Sequence, residues 1–190
     1  MIKPALAALL LTCTPAAALA GPDRCGPRGC YDPAYARYVT EQINPLLAEA
    51  ARHGVRFQWN PAACASKSAH GWYSPLQRLV VICQDNAPRF PYVQVELTSN
   101  DFDTVRHELH HVAQDCEGAA KFDGTLDQVF TMSQLQRLVD GTIGRSGARR
   151  ISNLYAGKST HTKLLEIEAA AVAAADRPSV QIDTIRLVCG

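Results

Sequence analysis

The sequence predicts an α+β domain that is mainly helical, with a small antiparallel sheet and disulfide stabilisation. Three observations carry this. Apolar residues recur at helical spacing over several long stretches, among them 33–53, 102–116 and 162–175. Runs that read as strands are few and short, chiefly Val55–Trp59 and Leu79–Cys83. Seven cysteines in 190 residues exceed what a reduced compartment calls for.

The N-terminus reads as a cleavable leader. Lys3 supplies a positive start, Ala5–Leu11 an apolar run, and Ala18-Leu19-Ala20 a small-residue cleavage site before Gly21. The run is too short for a membrane anchor, which needs ~20 apolar residues. A lipid-anchored variant would use Cys13, but Thr12 is bulkier than the small residue expected before it. Residues 1–20 are therefore expected to be a signal peptide, cleaved after Ala20, and residues 21–190 one secreted or periplasmic domain. No later segment is apolar enough to span a membrane. The formal charge of +1 falls to about zero without Lys3, which leaves no electrostatic case for nucleic acid. Oligomeric state cannot be read.

Gly21–Asp32 is a Gly/Pro loop. Pro33–His53 predicts a helix with Tyr38, Ile43, Leu46, Leu47 and Ala50 on one stripe, Gly54 as its stop, and a kink or break at Pro45. Val55–Trp59 is a strand, Asn60–Ser74 a polar loop and Leu79–Cys83 a second strand, together a hairpin; Tyr92–Leu97 is a short third strand. Thr98-Ser99-Asn100-Asp101 offers cap chemistry for a helix over about Phe102–Cys116, stopped near Gly118. Leu126–Val139 is the next helix, capped by Thr125 and ended near Gly141. Gly141–Arg150, with three arginines, reads as a mobile surface loop. Thr162–Ala175 is an alanine-rich helix, and the tail is a last helix starting at Pro178. Once Cys13 leaves with the leader, the expected pairs are Cys25–Cys30, Cys64–Cys83 and Cys116–Cys189, with connectivity open on sequence alone.

The chemistry lies in His107-Glu108-Leu109-His110-His111, an H-E-x-x-H run. Residues four apart share a helix face, so His107 and His111 can bind one Zn²⁺, and Glu108 can act as general base on a zinc-bound water. A catalytic zinc takes three protein ligands. The extended motif that supplies a third histidine is absent, since Gln114 stands at its glycine and Glu117 at its histidine. Asp123 and Asp127 have no spacing argument. Leu164–Ala171 is better: a helix of small residues packs closely, and it carries Glu166 and Glu168 on different sides. Ala169, Ala170 and Ala173 line the side of Glu166, which makes it the preferred ligand and Glu168 the alternative. Glu108 and His111 also spell the E-x-x-H of di-iron carboxylate proteins, but the second such motif that class needs is missing.

The two segments together, His107–His111 and Glu166-Ile167-Glu168-Ala169, resemble the gluzincin type of zincin metallopeptidase. In that family two histidines come from one helix and a glutamate from a second, often in an E-x-x-A-D or E-x-x-A-N setting. Ala170 departs from that setting. The resemblance covers the two helices. It implies a zincin-like domain, a zinc cofactor, hydrolysis of peptide bonds in a peptide or protein substrate, and substrate backbone laid along an edge strand, here Leu79–Cys83 or Tyr92–Leu97. Tyr155 and His161 precede the second helix and are candidate donors to the transition-state oxyanion. His110 is expected at the rim or bonded behind a ligand, and Gln114 as a residue that orients a ligand or is solvated. Trp59, Trp72 and Tyr73 read as packing residues. The competing reading is a non-catalytic, disulfide-stabilised export protein with a structural zinc or a partner-binding role, which would have no need of Glu108.

Overall fold

The computed structural model describes residues 25–26, 29–30, 33–66, 68–85, 87, 97–118, 120–175 and 177–190, with side chains from residue 41. The expected leader and nearly all of the expected strand at Tyr92–Leu97 lie outside the described residues. The architecture is α+β. Two two-residue strands, β1 (Cys25–Gly26) and β2 (Gly29–Cys30), precede α1 (Pro33–Arg52). Then come β3 (Arg56–Trp59), β4 (Gly71–Ser74) and β5 (Leu79–Ile82), with short 3-10 turns at Ala62–Ser66 and Pro75–Gln77. Five helices follow: α2 (Ser99–Glu117), α3 (Met132–Gly141), α4 (Gly144–Leu154), α5 (Thr160–Ala173) and α6 (Pro178–Cys189).

Helix α2 is the axis of the molecule. Its start is set by a reciprocal cap: Thr98 Oγ1 accepts from the Asp101 amide at 3.1 Å and the Asp101 carboxylate accepts from the Thr98 amide at 2.8 Å. Helices α1, α5 and α6 and strands β4 and β5 all pack on it. One face places Val105, Leu109, Val112 and Ala113 against Ile43, Leu46 and Ala50 of α1, Val80 and Ile82 of β5, and Ile185 of α6. Leu46 and Leu109 are fully buried, each contributing about 1.5–3 kcal/mol by burial. The Cys116–Cys189 disulfide ties the ends of α2 and α6, and Cys64–Cys83 closes the segment around β4. β1 and β2 pair with Cys25 opposite Cys30, whose side chains lie outside the described residues. Helix α1 runs through Pro45 without a break.

Arg106 fastens α5 to α2 from the far side. Its guanidinium donates to the carbonyls of Val172 (2.6 Å), Ala173 (2.7 Å) and Ala175, and to Gln181 Oε1 of α6. A cation on the carbonyl end of α5 satisfies acceptors that the helix itself leaves open. It thereby sets how close α5 comes to the motif helix.

Four expectations need correction. The sheet is mixed, in the order β3-β5-β4. β3 and β5 run parallel, and the antiparallel pair is β4–β5. Parallel pairing needs a long crossover, which residues 60–78 provide, whereas β4 and β5 are joined by a tight turn ending at left-handed Arg78. Gly71–Ser74 is a strand and not part of a loop; its glycine and adjacent aromatics give no alternation to read. Gly141–Arg150 is mostly helix α4, because Gly147 is buried against Ile143, and Ile143 and Ala148 pack with Leu135 and Val139 of α3. Helix α3 starts at Met132, capped by Thr131 with Gln134, and not at Leu126. The residues before it stay outside the helix because the Val129 and Phe130 amides donate to the Glu168 carboxylate, a partner remote in sequence.

Candidate functional site

Helical periodicity on α2 and the approach of α5 bring His107, His111 and Glu166 together. Their ligand atoms all lie within 4.8 Å of one another. His107 Nε2 is 3.2 Å from Glu166 Oε2 and 3.2 Å from His111 Nε2, and His111 Nε2 is 3.8 Å from the same carboxylate oxygen. The group lines a cleft of about 180 Å³ with Glu108, Gly71, Trp72, Tyr73, Leu126 and Tyr155.

The electrostatics of the cleft favour a cation. Burial disfavours charge on His111, but the Glu166 hydrogen bond and the Glu108 and Glu166 charges outweigh it and push its pKa up to about 9. Burial likewise acts to raise Glu166, yet the bonds from His107 and His111 hold its carboxyl well below the ordinary range. The site thus sets two imidazoles against two acids. The donor set fits zinc, which accepts imidazole nitrogen and carboxylate oxygen.

His111 is oriented for that role. Its Nδ1 is 2.7 Å from Gln114 Oε1, while Gln114 Nε2 donates to Leu165 O at 3.1 Å and to Glu168 Oε1 at 3.0 Å. Glu168, fully buried, also accepts from His110 Nε2 at 2.8 Å and from the Val129 and Phe130 amides at 3.0 and 3.2 Å. Its carboxylate is therefore engaged away from the histidine pair, and the acid that converges with that pair is Glu166. His110 is fully buried and not at the rim, stacked on Phe130. Burial lowers its pKa against the opposing pull of Glu168, to which its Nε2 donates.

Glu108 is 7% exposed at the cleft wall. Burial raises its pKa against the lowering effect of His107, His111 and a hydrogen bond from the Tyr73 backbone. Strand β4 is what places that backbone. It passes so close to α2 that a Cβ at Gly71 would lie 2.8 Å from Thr104 Cγ2 and 3.2 Å from Glu108 Cγ. Tyr73 itself donates from its hydroxyl to buried Asp115 at 2.8 Å, locking β4 to α2.

Of the two expected donors, Tyr155 reaches the cleft. It follows α4, and burial together with the charge and hydrogen bond of Glu166 raises its pKa. His161 does not. It lies five residues before Glu166 on α5, about 140° round the helix, and bonds Leu126 O at 2.8 Å in a half-exposed position. Asp123 bonds the Thr125 amide at 2.8 Å, and Asp127 lies 3.7 Å from His161, both outside the cleft lining. Strand Leu79–Ile82 is central, paired on both edges, and cannot take a substrate strand; β4 borders the cleft instead. Gly71, Trp72, Tyr73 and Leu126 were not legible as site residues, since their spacing carries no motif.

No curated protein and no solved structure matches this chain. A family model described as a domain of unknown function (DUF8637) matches residues 36–189, which include both helices of the site. The chain belongs to that family.

Proposed function

We propose that this chain is an exported zinc-dependent peptidase of the zincin kind, hydrolysing peptide bonds in a peptide or protein substrate. His107, His111 and Glu166 would hold the metal and Glu108 would be the general base. The observation that carries the reading is the convergence of two imidazoles and one carboxylate within 4.8 Å, beside a buried acid and open to a cleft. A purely structural zinc takes four protein ligands, whereas three converge here among the described residues. Two disulfides support an oxidising compartment, and no described helix is long and apolar enough to cross a membrane.

Zinc, when bound, supplies a Lewis acid and makes water nucleophilic near neutral pH. Glu108 takes the proton from the attacking water and passes it to the leaving amine; burial, by raising its pKa, suits it to both tasks. The Tyr73 amide keeps the Glu108 carboxylate aimed into the cleft. Tyr155 is the hydroxyl best placed to donate to the carbonyl oxygen as charge develops there. Strand β4, an edge strand among the described residues, is where substrate backbone would add.

Metal analysis of the purified protein should find about one zinc per chain. Glu108→Gln should keep that zinc and lose cleavage of casein or a peptide library by about 10²–10⁴-fold. A metal-free protein, or undiminished cleavage by Glu108→Gln, overturns the reading.

A further inference from the structure

We infer that Gln114, held in place by the buried Glu168–His110 pair, fixes which ring nitrogen of His111 faces the other ligands and thereby sets metal affinity. This rests on the zinc reading above. Amide and imidazole orientations follow from the hydrogen-bond network around them, and here the network leaves one solution. Gln114 has an acceptor on one side of its amide in Leu165 O and another in Glu168 Oε1, so the group bonded to both is its NH₂. Its other atom is then the oxygen, which can only accept. His111 Nδ1, 2.7 Å away, must be the donor. A proton on Nδ1 leaves Nε2 as the nitrogen that can ligate, and Nε2 is the atom that points at His107 and Glu166.

Glu168 is the anchor of the relay. An ionised carboxylate in the core is costly unless its oxygens are satisfied. Four donors from two segments satisfy these: Gln114 and His110 of α2, and the amides of Val129 and Phe130 in the loop before α3. His110 completes the network as a neutral ring. Its Nε2–H donates to Glu168 at 2.8 Å, and its buried Nδ1 has no hydrogen-bond partner among the described residues, so a proton there would be an orphaned N–H and the bare nitrogen is the cheaper form. For packing alone, an apolar side chain at 168 would serve at lower cost. The arrangement instead runs from a fixed negative charge through one amide to one ligand imidazole. It also joins that ligand to the loop ending at Phe130, and Leu126 of the same loop forms a wall of the cleft.

Gln114 and Glu168 are thus positioning residues, and their readout is affinity and not turnover. Zinc affinity is measured by competition with a chromogenic chelator on the full folded protein. Gln114→Met, close in shape but without an acceptor, should weaken zinc by about 10–100-fold and shift the visible spectrum of the cobalt(II)-loaded protein. Nitrogen-15 NMR of the zinc-loaded wild type should find His111 protonated at Nδ1 and ligated through Nε2, a test that holds even where a variant fails to fold. Ligation through Nδ1, or a folded Gln114→Met with zinc affinity within about twofold of wild type, overturns the relay and leaves the peptidase reading standing. Tight zinc binding without any cleavage would instead sink the peptidase reading and leave the relay intact.

Discussion

Replacing Gly71 with alanine tests the contact that joins sheet to motif helix. A Cβ there would sit 2.9 Å from Val81 O of β5, 2.8 Å from Thr104 Cγ2 and 3.2 Å from Glu108 Cγ of α2. Ordinary contacts of this kind start at about 3.5 Å, so the gaps fall short by roughly 0.3–0.7 Å. Residue 71 is confined on two sides. Moving β4 off the Val81 carbonyl drives it into α2, and moving it off α2 strains the ladder with β5. Overpacking of this sort costs about 1–3 kcal/mol, with Tm lowered by about 2–4 °C for each kcal/mol in a chain of this size. Because one of the clashing atoms belongs to Glu108, turnover should fall beyond what lost stability explains. Zinc content should not change, since the proposed ligands lie on α2 and α5. Urea unfolding, metal analysis and cleavage rate on one preparation separate these effects. Adding Thr104→Ala removes one clash and should restore only part of the stability, because the Val81 carbonyl remains. Gly71→Ala with stability within about 0.5 kcal/mol of wild type, or full recovery with Thr104→Ala, would refute the close-approach argument.

Glu166→Ala removes one of the three proposed ligands and should release zinc during dialysis that leaves the wild type loaded; retention of stoichiometric metal would mean another group completes the site. Cys116→Ala with Cys189→Ala opens a span of 73 residues and should cost about 4 kcal/mol on the chain-entropy account. Chemical denaturation measures this, and a loss under about 1 kcal/mol would show that the α2–α6 packing holds without the bridge. Glu49 is buried on α1; burial raises its pKa, but Arg186, His53 and Arg52 outweigh this and hold it below its ordinary 4.5. A folded pKa below the unfolded one contributes stability that is full above the unfolded value and fades as pH falls through the folded one. The fall in Tm between about pH 5 and pH 3 should therefore be shallower in Glu49→Gln than in wild type; parallel curves would remove Glu49 from the account.

How much was legible depends on the range of the interaction. The helical period alone puts His107 and His111 on one face with Glu108 beside them, and the Thr98/Asp101 cap and the Gly118 stop frame that helix locally. The spans of α1, α5 and α6 also follow from periodicity and from the proline and glycine signals at their ends. Cys64 and Cys83 could be paired because both flank the strand region. Strand β4 escaped because four residues with a glycine and two adjacent aromatics show no period, and its place is set by the gap between β5 and α2. Helix α4 reads as a loop because its glycines look like breakers, whereas Gly147 is there to let α4 close on Ile143.

The sequence by itself determined the chemistry on offer: two imidazoles and an acid at helical spacing, two further acids downstream, and cysteines enough for an oxidising compartment. Tertiary structure decided between Glu166 and Glu168, turning the first toward the histidine pair and the second into a buried anchor for His110 and Gln114. Two residues apart on a helix are about 200° apart around it, so the spacing says only that they differ. Which one faces α2's ligand side depends on the rotation of α5, and Arg106 and the loop at Val129–Phe130 set that rotation through bonds spanning some 38 to 69 residues of chain.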